Sequence, residues 1–108
     1  MQKTLISLAV LGALASTASA QNIVVPGNRG PTDTGCLIKG LDPNGDGFLA
    51  LRTGPGSKYQ QIGSLYNGDA AFVYGGQGNW LYVENGARNG KAVKFRGWIY
   101  DAWCEFYP

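Results

Sequence analysis

Apolar residues in this chain fall into short runs broken by glycine, proline and asparagine, and none keeps the spacing of a helix face. From Cys36 onward the runs Cys36 to Lys39, Phe48 to Leu51, Asp69 to Tyr74, Trp80 to Glu84, Val93 to Arg96, Gly97 to Tyr100 and Glu105 to Tyr107 predict strands. In the Asp69 run, Ala71 and Val73 share one face, and Phe72 and Tyr74 share the other. In the Trp80 run, Leu81 and Val83 are the natural core pair, which turns Trp80 and Tyr82 outward. Gly54-Pro55-Gly56 and Asn67-Gly68-Asp69 read as turns, and Gly75 to Asn79 as a loop. Asn85 to Lys91 carries two Asn-Gly signals and reads as a turn longer than a minimal hairpin needs. Asp101 to Cys104 reads as one 3₁₀ turn. Turn signals recurring roughly every eight to twelve residues argue for an all-β barrel or sandwich.

The first 35 residues do not fit that scheme. Lys3 is followed by the apolar stretch Leu5 to Ala15 and by Ala18-Ser19-Ala20, a small-residue cleavage site. Residues 1–20 therefore read as a secretory signal peptide, and the mature chain begins at Gln21. A membrane anchor is the alternative, and against it the run is short and ends in small polar residues. No later stretch is apolar enough to span a bilayer, so no stable membrane insertion is expected after cleavage. The segment 21–35 carries Pro26-Gly27-Asn28 and Gly30-Pro31, which break both periodicities, and reads as a flexible leader. Its β-prone Ile23-Val24-Val25 can add to a sheet edge or stay disordered.

Removing 20 of 108 residues leaves 88, enough for one small domain, 36–108, with a modest core. Cys36 and Cys104 are the only cysteines, and in an exported chain such a pair reads as a disulfide. Closing so long a loop removes roughly 4 kcal/mol of unfolded-chain freedom. With no histidine in the chain the two cysteines make a poor zinc set. Without Lys3 the basic count falls from 9 to 8 against 7 acidic residues, a net charge near +1 that carries no nucleic-acid signature.

Asp42, Asn44 and Asp46 alternate ahead of Gly47 like the start of a calcium loop. The twelfth position is Thr53, which cannot clamp an ion with two oxygens, and the flanks read as strands. A tight turn in which Asp and Asn side chains bond nearby amides accounts for the same residues, so neither metal nor cofactor is expected. The missing histidine also removes the commonest general base, and solvated turn carboxylates account for Asp42, Asp46 and Asp69 better than a tuned acid–base pair does. A binding protein is expected rather than an enzyme.

The most informative stretch is Gly47 to Gly56. Leu49, Leu51, Arg52, Thr53, Gly54, Pro55, Gly56 and, a few residues on, Tyr59 follow one another in an order that resembles the opening motif of bacterial SH3-like domains. Trp80 with Val83, and the closing Gly97-Trp98-Ile99-Tyr100, extend the likeness over about Cys36 to Tyr107. The resemblance implies a small SH3-like barrel of about five to six short strands. It also implies a ligand class: a peptidoglycan fragment, as cross-bridge or stem peptide, or a protein partner in the envelope. A basic excursion, Arg88 to Arg96, and the cysteine pair depart from the usual pattern.

Tyr59, Trp80, Tyr82 and Tyr100 are the expected rings of a ligand groove, with Arg52 and Asp69 as polar neighbours; core packing is the competing use for each ring. Arg88, Lys91, Lys94 and Arg96 form a basic patch that can dock an acidic partner or anionic glycan, although keeping a hairpin edge from pairing with other sheets accounts for them more simply. Two functions remain: cell-wall binding through the aromatic groove, or protein–protein interaction in the envelope, such as inhibition of a toxin or hydrolase. The export signal fits a periplasmic or an extracellular protein.

Overall fold

The computed structural model describes residues 22–108. The expected signal peptide, residues 1–20, and its expected cleavage point lie outside the described residues. The chain forms seven strands: β1 (Gly35–Ile38), β2 (Leu49–Arg52), β3 (Gln61–Leu65), β4 (Ala70–Gln77), β5 (Trp80–Arg88), β6 (Lys91–Tyr100) and β7 (Cys104–Tyr107), with one 3₁₀ turn at Asp101–Trp103. They make a single antiparallel sheet in the order β3-β2-β6-β5-β4-β1-β7. The fold class is the expected all-β one, with seven strands in place of five to six.

The sheet curls around one core. Cys36 and Ile38 from β1, Leu49 and Leu51 from β2, Leu65 from β3, Ala71 and Val73 from β4, Val83 from β5 and Ile99 from β6 meet in one buried cluster. A flat sheet cannot bring β1 and β3 together; curling is how a small barrel fills its own interior with side chains. Each large aliphatic buried there contributes on the order of 1.5–3 kcal/mol. Where the sheet closes, Gly68 donates its amide to Ile38 O, and the Asn67 side chain both accepts from Leu41 N and donates to Leu41 O. A disulfide joins Cys36 of β1 to Cys104 of β7.

Two expected interruptions are strand. Gly75 and Gly76 belong to β4, which pairs with β5 out to Gln77 opposite Trp80, leaving only Gly78 and Asn79 as the turn. Asn85-Gly86 is a register shift inside β5 rather than a turn, and Asn89-Gly90, with φ of 53° and 77°, makes the hairpin to β6. Val93–Arg96 and Gly97–Tyr100, read as separate runs, are one ten-residue strand. The Asp42 loop is an Asx turn in which the Asn44 amide donates to Asp42 Oδ1.

Residues 22–34 have the irregular backbone expected of the leader, but they are fastened to the barrel as a strap. Val24 N donates to Thr53 O, and Trp98 Nε1 donates to Val24 O. Further along, Gly30 N donates to Tyr74 O, Thr32 Oγ1 to Val73 O, and the Arg29 guanidinium pairs with the Glu84 carboxylate. The strap crosses the sheet over the row Arg52–Trp98–Tyr82–Gly75, residues paired across β2, β6, β5 and β4. Gly75 has to be glycine here: a Cβ would lie 2.9 Å from Asn28 Oδ1 and 3.0 Å from Pro26 Cγ. The glycines that made this stretch look like a loop give the strap room to pass.

Candidate functional site

Trp80 and Tyr100 are paired across β5 and β6 and meet edge to face, ring centroids 5.3 Å apart. The Gly54-Pro55-Gly56 loop brings Tyr59 to the same place. A side chain at Gly54 would run into the Tyr59 ring, so the missing Cβ lets that ring lie against the loop. Arg52 secures the arrangement from below, donating from Nη1 to Tyr59 O at 2.9 Å. Together with Leu49, Pro55 and Lys58 these residues line an open groove of about 660 Å³. Its lining holds two cationic side chains, Arg52 and Lys58, and no carboxylate.

Four of the six expected groove residues, Tyr59, Trp80, Tyr100 and Arg52, thus converge. Tyr82 and Asp69 do not. Tyr82 lies on the outward face beside Trp80, as its parity requires, yet it is 0 % exposed because the strap covers it. Its ring packs on Trp98 with centroids 5.5 Å apart, and its hydroxyl donates to Glu84 Oε2 at 2.8 Å. Burial and that bond both raise the phenol above its ordinary range. Glu84 is held below the usual carboxylate range, chiefly by its hydrogen bond with Arg29, against the opposing effect of burial.

Asp69 is 3 % exposed and serves the fold. It accepts two hydrogen bonds from Arg88, at 2.9 and 2.7 Å, and a third from Tyr66 N at 2.8 Å. Burial alone would raise its pKa; Arg88 and the Tyr66 amide outweigh it, and the carboxyl sits below its ordinary range. Arg88 is thereby drawn out of the expected basic patch, its guanidinium 5.0 Å from the Tyr66 ring centroid. Lys91, Lys94 and Arg96 remain exposed on β6. Lys58 belongs to the groove and was not anticipated; its one signal is its place beside Tyr59 in the Gly-Pro-Gly loop. Among the described residues, no group of three or more His, Cys, Asp or Glu could hold a metal ion.

A small, disulfide-linked β barrel with an aromatic groove beside a Gly-Pro-Gly loop is the class that these features define. The model of the bacterial SH3 domain matches residues 47–104, more than half of the chain, and the chain belongs to that family. No curated protein and no solved structure matches it significantly. The family match covers β2 to β6, the groove and the 3₁₀ turn. The strap, β1 and β7 beyond Cys104 lie outside it.

Proposed function

We propose that this protein is an exported, non-catalytic binding module that holds a short peptidoglycan peptide or glycan segment in the groove between Tyr59, Trp80 and Tyr100. The observation that carries this reading is the groove itself: three rings converge on one open site whose only charges are the cations Arg52 and Lys58. Flat aromatic faces bind sugar rings or peptide planes at small entropy cost, and the cations suit a peptide carboxylate. The disulfide supports an oxidising compartment, periplasmic or extracellular. Among the described residues no helix is long and apolar enough to cross a membrane.

The test is a pull-down on purified peptidoglycan with the wild-type protein and Trp80→Ala. Wild-type retention weakened at least about tenfold in the variant supports the proposal, since a central aromatic anchor is worth that much or more. A second reading, an envelope protein that grips another protein, is favoured by the exposed Lys91, Lys94 and Arg96 strip on β6. It prevails if peptidoglycan retains nothing and the envelope yields a stoichiometric protein partner whose binding weakens in Lys94→Glu.

A further inference from the structure

We propose that the cleft between β4 and β7 is a second binding site, one that takes an arginine or lysine side chain of a protein partner. Gly35 of β1 pairs with Phe72 on one side and Tyr107 on the other, so those two rings flank a position with no side chain. Tyr107 lies over the Gly35 backbone, where a Cβ would collide with its ring. Two adjoining depressions, of about 270 and 420 Å³, open on either side of Tyr107 and share Asp33, Thr34 and Pro108. Phe72 and Tyr74 wall the first, Phe106 the second, and Asp33 is the one charged side chain lining either.

This molecule already pairs the same groups with a cation, once at Tyr74, a ring of the cleft itself, and once away from it. The Arg29 guanidinium stands 5.9 Å from the Tyr74 ring centroid and binds the Glu84 carboxylate. Arg88 stands 5.0 Å from the Tyr66 ring centroid and binds Asp69. In both cases a guanidinium has an aromatic face on one side and a carboxylate at hand, which neutralises it while the ring replaces part of its hydration. The cleft offers rings and a carboxylate again, with no Lys or Arg in its lining. It is opposite in charge to the Trp80 groove, so the two sites select opposite ligand ends. Asp33, Gly35 and Tyr107 lie outside the family match while Phe72 and Tyr74 lie within it, so the cleft straddles the edge of the matched segment.

The experiment is an NMR titration of the oxidised protein with N-acetyl-arginine amide and N-acetyl-lysine amide, and with the uncharged N-acetyl-norleucine amide as control. Saturable shifts at Gly35, Phe72 and Tyr107 with both cations are expected, with norleucine at least about fivefold weaker. Asp33→Asn, a change at an exposed position, should weaken the cations to the level of norleucine while leaving the remaining spectrum in place. Equal binding of norleucine would reduce the cleft to an unselective apolar patch and overturn the proposal, as would undiminished cation binding in Asp33→Asn or no saturable shift at all. None of these readouts involves peptidoglycan, so the fate of the Trp80 groove is decided separately.

Discussion

Tyr82 and Trp80 stand two residues apart on one face of one strand and have opposite fates. The strap lies over Tyr82 and leaves Trp80 in solvent contact with Tyr100 and Tyr59. The same substitution logic should therefore give different results at the two positions. Tyr82→Phe keeps the ring and loses the hydroxyl that donates to the Glu84 carboxylate, a cost of about 1.5–3 kcal/mol in denaturant unfolding, with ligand retention untouched. Trp80→Ala should do the reverse, losing retention with little change in stability. Asp69→Ala strands the Tyr66 amide and releases Arg88; because the Arg88 side chain is 42 % exposed, the expected loss is about 1–2 kcal/mol rather than that of a fully buried pair. Parity along the strand showed which way Trp80, Tyr82, Phe72 and Tyr74 point, and that reading holds. It could not show that a segment more than fifty residues away in sequence would cover Tyr82, or that Asp69 would be claimed by Arg88. Both are tertiary contacts with no trace in local spacing.

Among elements, the strap is the one whose role is least visible in composition. Its Pro26-Gly27-Asn28 and Gly30-Pro31 rule out a strand and leave the backbone to find partners one by one, which it does on Thr53, Tyr74 and Val73. The Val24 contact to Thr53 O falls at the root of the Gly-Pro-Gly loop, next to Arg52, whose side chain holds Tyr59. The strap thus braces the groove loop from behind. Val24→Pro removes the donor to Thr53 O, along with the valine side chain and the free φ of that residue. Faster amide exchange should follow at Thr53, Gly56 and Tyr59, with slow exchange retained in β4 and β5; unchanged exchange in the loop would show that the brace carries no strain. The strands themselves were legible wherever an apolar run was intact, as in Asp69 to Tyr74 or Cys36 to Ile38. They were missed at Gln61–Leu65, where Gly63 and Ser64 interrupt the apolar residues, and where glycine serves closeness instead of turning, at Gly75 under the strap and Gly86 against β4. There the composition of a loop and that of a crowded strand are alike.

For the molecule as a whole, two carboxyls and one sulfur bridge set the conditions for stability. Asp69 and Glu84 both titrate below their ordinary range when folded. The unfolded chain therefore takes up protons first as the pH falls below about 4, and stability drops from there through the lower folded values, while it stays level on this account above about pH 5. A chemical-unfolding series across that range should show the slope, and the double change Asp69→Asn with Glu84→Gln should flatten it. Reducing the Cys36–Cys104 bond, which closes a separation of 68 residues, should remove roughly 4 kcal/mol, read as a lower midpoint for the reduced protein. That bond also fastens β7 to β1, and both lie at the margin of what the family shares. A chain still carrying thiols has the means to assemble the Trp80 groove but lacks the clamp that sets Tyr107 against Gly35. Assembly would then proceed in two stages, the aromatic groove first and the cation-seeking cleft only after oxidation, so that a partner recognised by the cleft would meet this protein only where thiols are oxidised.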